Sequence, residues 1–138
     1  MKNTQTVAVV QDDLFYQAIL KQLLKSSDLF FDVLAFDNGL SAIEHLKQNN
    51  TANQLPDIIL LDLGMPIMDG WAFLDAYQQL SPILSKYSQI FIHSASVYQS
   101  DLRKAKQHSC VTGVVPAPFK IKELKQYLGM AHIAHTSL

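Results

Sequence analysis

The stretch Pro56-Asp57-Ile58-Ile59-Leu60-Leu61-Asp62-Leu63-Gly64-Met65-Pro66-Ile67-Met68-Asp69-Gly70-Trp71 decides how the rest of the chain is read. Ile58 to Leu61 is an uninterrupted apolar run after a Pro-Asp pair, the pattern of a strand covered on both faces. It stops on a carboxylate, Asp62. Gly64 to Gly70 is not expected to be regular structure, because Pro66 has no amide donor and the glycines favour turns. Trp71, Phe73, Leu74 and Tyr77 then take up helical spacing, which stops near Ser81-Pro82.

The same switching of period extends in both directions. Val7 to Val10 is a short β-branched run ending in Gln11-Asp12-Asp13, after which Leu14, Phe15, Ala18, Ile19 and Leu23 mark a helix to about Lys25. Phe31 to Phe36 reads as a second strand, and Leu40, Ile43 and Leu46 as a helix after Asp37-Asn38-Gly39. Beyond the central block, Gln89 to His93 is a fourth strand, Val97 to His108 a polar helix and Gly113 to Pro116 a fifth strand. Phe119 to about Ala131 is a last helix. Five strands alternating with five helices imply an α/β domain with a parallel sheet covered on both faces, and right-handed crossovers favour a doubly wound sheet. One domain over residues 1–131 is expected, with 132–138 as a frayed tail or a final helical turn.

Composition narrows the function. The chain has 138 residues and a formal net charge of -1, so no basic excess exists to neutralise a nucleic-acid backbone. Cys110 is the single cysteine, which rules out an internal disulfide and suits a reducing compartment. No signal-peptide pattern and no long apolar run stand out, so a cytoplasmic protein that does not enter a membrane is expected.

In an open parallel sheet, ligands bind beyond the carboxyl ends of the strands, near the switch in strand order. Asp12 and Asp13 follow the first strand, Asp62 the third, Ser94 and Ala95 the fourth, and Ala117-Pro118-Phe119 the fifth. Carboxylates gathered there repel one another, by on the order of 4 kcal/mol for a pair about 4 Å apart at an effective dielectric near 20. A hard cation with oxygen ligands relieves that repulsion, which points to Mg²⁺. A carboxylate beside Mg²⁺ can attack a phosphoryl donor to give an acyl phosphate, with the Ser94 hydroxyl placed for one of the added oxygens. The plainer reading of Asp12-Asp13 is a helix N-cap, and that of Ser94 is ordinary strand-end chemistry.

Taken together, the Gln11-Asp12-Asp13 triplet, the block PDIILLDLGMPIMDGW, His93-Ser94-Ala95-Ser96 and Ala117-Pro118-Phe119 resemble the receiver domain of two-component response regulators, over about residues 5 to 130. The resemblance implies a flavodoxin-like sheet of order 2-1-3-4-5, with Asp62 as phosphoacceptor and Ser94 as the Ser/Thr switch residue. It also implies Mg²⁺ held by Asp12, Asp13, Asp62 and the Gly64 carbonyl. A histidine kinase or phosphotransfer protein would supply the phosphoryl group. With no effector domain following, output would pass to an unidentified protein partner, through the face of the fourth helix, fifth strand and fifth helix.

Two positions depart from that pattern. Ala117 stands where the family has a lysine, which removes a charge-assisted hydrogen bond worth roughly 1.5–3 kcal/mol. Val114 stands where an aromatic residue often rotates inward. Lys120 begins the final helix and is expected to point elsewhere. The leading expectation is a stand-alone receiver. The alternatives are a phosphorylation-independent pseudo-receiver and a Mg²⁺-dependent phosphohydrolase, the last weakened by the lack of a cap insertion. The histidines show no metal-ligand spacing, Trp71 reads as core, and Arg103, Lys104 and Lys106 as a solvated helix face.

Overall fold

The computed structural model of the chain describes residues 5–30, 32–95 and 97–136, with side-chain surroundings through Leu128. Strands β1 (Thr6–Val10), β2 (Asp32–Phe36), β3 (Ile58–Leu61), β4 (Gln89–Ile92) and β5 (Val111–Val114) alternate with helices α1 (Leu14–Lys25), α2 (Gly39–Gln48), α3 (Gly70–Leu80), α4 (Gln99–Lys106) and α5 (Ile121–Thr136). The strands form one parallel sheet in the order β2-β1-β3-β4-β5. The expected doubly wound α/β fold is therefore the observed one, and the order reverses between β1 and β3.

Alternation along the strands sorts the core into two layers. Ala8, Val10, Ile59, Leu61 and Ile90 pack with Ala42, Ile43 and Leu46 of α2 and Phe73, Leu74 and Tyr77 of α3. Val7, Val9, Ile58, Leu60 and Phe91 face the other way, onto Leu20 and Leu24 of α1 and Leu124 of α5. Period-two alternation is hidden in the sequence because both faces are covered and both sets are apolar.

Boundaries moved where hydrogen bonding overrode the apolar pattern. Strand β5 starts at Val111 rather than Gly113, because a register shift between Ile90 and Phe91 accommodates Thr112 as a bulge. Its ladder closes with the Val115 amide on the Ile92 carbonyl at 2.8 Å, and Pro116 has no amide to continue it. Helix α4 is shorter than Val97 to His108, since the Asp101 carboxylate accepts the Tyr98 amide at 2.9 Å and sets the start there. Helix α5 continues past Ala131 to Thr136, so most of the expected tail is helical, while 137–138 lie outside the described residues. Phe31, read as the first residue of the second strand, also lies outside them.

The loop between β3 and α3 is built around a three-residue turn. The Met68 amide donates to the Pro66 carbonyl at 2.7 Å, with Ile67 between them at φ 68°. A β-branched residue with positive φ is strained, and Ile67 is 78% exposed, so little packing compensates. Ile67→Gly is expected to stabilise the fold by about 1 kcal/mol, the left-handed penalty less the added chain entropy of glycine. Urea unfolding measures it, and an unchanged or lowered midpoint would refute the strain.

Candidate functional site: an acidic cleft at the strand ends

Asp62 follows directly on β3 and is 8% exposed, although its neighbours Gly64, Pro66 and Ile67 are open to solvent. Its amide donates to the Val10 carbonyl at 3.0 Å, which carries the sheet ladder one step beyond the strand. The side chain turns back onto the loop. Asp62 Oδ1 accepts the Leu63 amide at 2.9 Å and the Ser94 hydroxyl at 2.8 Å. Burial pushes this carboxyl above its ordinary range, the hydrogen bonds from Ser94 and Leu63 oppose that, and the Asp12 charge adds to it.

Asp13 serves as N-cap of α1, its Oδ1 accepting the amides of Phe15 at 3.0 Å and Tyr16 at 3.1 Å. The plain capping reading of this residue is thus part of its role. Gln11 holds the loop from below: it is buried, and its Oε1 accepts the Asp13 amide at 3.1 Å. Gln17 Nε2 donates to the carbonyls of Gln11 and Phe36, pinning the end of β1 to the end of β2. Asp69 caps α3 through the Ala72 amide at 2.8 Å, so the Asp69-Gly70 pair opens a helix rather than a hairpin.

These loops enclose a cleft of about 870 Å³, lined by Asp12, Asp13, Asp62, Gly64, Ser94 and Ala117 among others. All the residues singled out from sequence as site candidates therefore share one cavity. Lys120 is exposed at the start of α5, and its amide bonds Glu123, in keeping with its reading as a bystander. Among the described residues no three Asp, Glu, His or Cys side chains close into a ready metal cage. The donor set nevertheless fits a hard cation: every candidate ligand is oxygen, and the Asp12 charge acts on the Asp62 carboxylate.

Tyr16, a cleft residue, and His93, buried behind it, form a pair that sequence reasoning missed. The Tyr16 hydroxyl lies 2.8 Å from His93 Nε2, and His93 Nδ1 lies 2.8 Å from the Val115 carbonyl. The one available signal was a histidine closing an apolar strand, in Ile90-Phe91-Ile92-His93. Trp71, read as core, is half-buried; it stacks on His108 with ring centroids 5.7 Å apart, and Lys104 Nζ sits 4.6 Å from its centroid. The solvated face of α4 thus contributes one cation–π contact.

A doubly wound α/β domain with acidic groups and a hydroxyl gathered at its switch point has the architecture of a ligand-binding or signalling module. Comparison with known proteins makes the class specific. The sequence pattern of the response regulator receiver domain matches residues 7–129, and the chain belongs to that family. It is 30% identical over 127 residues to a probable C4-dicarboxylate response regulator DctR of Priestia megaterium, covering 92% of this chain and 51% of that protein. It is 37% identical over 73 residues to the chemotaxis protein CheY of Listeria monocytogenes, covering 52% of this chain and 53% of that protein. The chain spans about half or less of the length of the curated relatives it matches. Among solved structures, a two-component response regulator from Cytophaga hutchinsonii superimposes with a TM-score of 0.82 at 22% identity, covering 94% of this chain and 97% of the other. A response regulator receiver protein from Dyadobacter fermentans gives 0.79 at 28% identity, covering 93% and 98%. No helix among the described residues is long and apolar enough to cross a membrane.

Proposed function

We propose that the chain accepts a phosphoryl group on Asp62 from a histidine kinase or phosphotransfer protein and passes the signal on by protein contacts. The observation that carries this is the Asp62 carboxylate on the cleft wall, with the Ser94 hydroxyl 2.8 Å from its Oδ1 and the Asp12 charge acting on it. An Asp62 oxygen attacks phosphorus while the bond from phosphorus to the donor imidazole nitrogen breaks. The electron pair leaves with the imidazole, which takes up a proton. Ser94 then donates to a phosphoryl oxygen instead of to the carboxylate. Asp12, Asp13, Asp62 and the Gly64 carbonyl would hold Mg²⁺, which when bound offsets the negative charge of carboxylates and phosphoryl oxygens. Leu14, Phe15 and Ile19 of α1 are exposed, and Phe15 and Ile19 line the cleft, which offers a donor protein an apolar landing beside the carboxylate.

A second reading has its own observation. Ala117 lines the cleft where the family resemblance expects an ammonium, and Val114 is a half-buried aliphatic residue rather than an aromatic one. A domain of this family that binds its partner without phosphorylation would tolerate both.

Intact-protein mass spectrometry after incubation with acetyl phosphate, with and without Mg²⁺, separates the readings. The expected result is a Mg²⁺-dependent gain of one phosphoryl group that Asp62→Asn abolishes. No gain under conditions that label a known receiver favours the phosphorylation-independent module. Sustained release of phosphate from small phosphoesters would instead mark a hydrolase.

A further inference from the structure

His93 stands one residue before Ser94 and is 2% exposed, yet both its ring nitrogens are engaged. The Val115 carbonyl can only accept, so Nδ1 carries the proton. Burial holds this imidazole below its ordinary pKa, against the opposing pull of the Val115 contact. Burial favours the neutral ring, and with the proton on Nδ1 its Nε2 lone pair faces the Tyr16 hydroxyl, 2.8 Å away, as an acceptor. Stacking fixes the arrangement: the Tyr16 and His93 rings lie 5.8 Å apart at 26°, and Phe119 tilts against His93 from the other side at 4.9 Å.

Tyr16 also lines the cleft together with Asp62, Ser94 and Ala117. Burial, and after it the Asp62 charge, push its phenol above the ordinary value. The hydroxyl thus has a buried partner in His93, and its residue lines the cavity that holds the Asp62 carboxylate. Ala117 on the same wall offers no side-chain donor. We propose that Tyr16 donates a hydrogen bond to the phosphoryl group on Asp62, and that His93 positions its hydroxyl until that group arrives. The inference rests on Asp62 being the phosphoacceptor. No covalent bond to tyrosine forms, and the proton stays on the phenol oxygen. The hydroxyl exchanges a neutral acceptor for a charged one, and a charge-assisted hydrogen bond is roughly twice as strong as a neutral one.

The test uses the full chain with Mg²⁺ and beryllofluoride, a phosphoryl mimic, comparing wild type with Tyr16→Phe, which keeps the stacked ring. Loss of one net hydrogen bond predicts affinity weaker by roughly 3- to 10-fold in the variant. The imidazole ¹⁵N spectrum gives an independent signature. Loading the wild type should move the His93 Nε2 resonance toward its position in unloaded Tyr16→Phe, since both states lack the phenol donor. Equal affinities, or a His93 resonance that loading leaves in place, would overturn the proposal alone. A wild type that neither binds beryllofluoride nor accepts phosphate from acetyl phosphate would sink the phosphoacceptor reading and this inference with it.

Discussion

Gly70→Ala is expected to destabilise the protein by about 3 kcal/mol, the upper end of what an overpacked position costs. Gly70 begins α3, and its amide donates to the Leu63 carbonyl at 2.9 Å, which brings the helix start directly onto the end of β3. A Cβ there would sit 2.5 Å from the Asp62 carbonyl oxygen and 2.8 Å from Leu63 Cα. Both obstacles are backbone, so neither can rotate away. The strain falls on the residue proposed to carry the phosphoryl group, so labelling by acetyl phosphate should fall together with stability. Gly64→Ala is the control: no atom lies within 4 Å of its Cβ, and only its carbonyl is assigned a role. Urea unfolding of the two variants should therefore differ sharply, with Gly64→Ala within about 0.5 kcal/mol of wild type. A Gly70→Ala protein as stable as wild type would mean that α3 can shift away from β3.

The second large effect concerns the charge on Asp62. Burial, opposed by the Ser94 and Leu63 hydrogen bonds and reinforced by Asp12, holds this carboxyl above its unfolded value. The folded chain therefore keeps a proton at pH values where the unfolded chain has released it. The stabilisation from that proton is fully present below the unfolded pKa, near about 4, and is lost as pH rises through the raised folded pKa. Once ionised, metal-free Asp62 carries a charge that the fold disfavours. Asp62→Asn keeps an acceptor oxygen for Leu63 and Ser94 without that charge. It should be more stable than wild type at pH 7, by an amount set by how far the folded carboxyl is raised. The difference should shrink toward zero at pH about 3, where the wild-type carboxyl is protonated in both states. Paired urea titrations in chelator at both pH values measure this. A variant that is less stable at pH 7 would show that hydrogen bonds to the ionised carboxylate outweigh its burial.

The sequence by itself determined the element order, the parallel sheet and the strand ends where the site lies. Short apolar runs between turn signals, such as Ile58 to Leu61, fit buried strands, and a parallel sheet brings their carboxyl ends to one edge. Asp12, Asp13, Asp62 and Ser94 were legible for that reason, since each follows a strand directly or within a few residues, while Gly64 entered only through the family resemblance. Element ends were less legible. The Thr112 bulge and the Asp101 contact with the Tyr98 amide are settled by hydrogen bonds, which hydrophobic period does not record.

Only the tertiary structure decided what those residues touch. That the Ser94 hydroxyl bonds Asp62 itself, and that Asp13 caps α1, are facts of loop geometry. The pairing of Tyr16 with His93 joins residues 77 positions apart. A helix face carries no mark of which strand end it will meet, so one tyrosine in an amphipathic helix and one histidine after an apolar strand look unremarkable until the sheet is assembled. Burial lowers the histidine's pKa and raises the phenol's, favouring a neutral ring and a protonated phenol, and burial is a property of the folded chain.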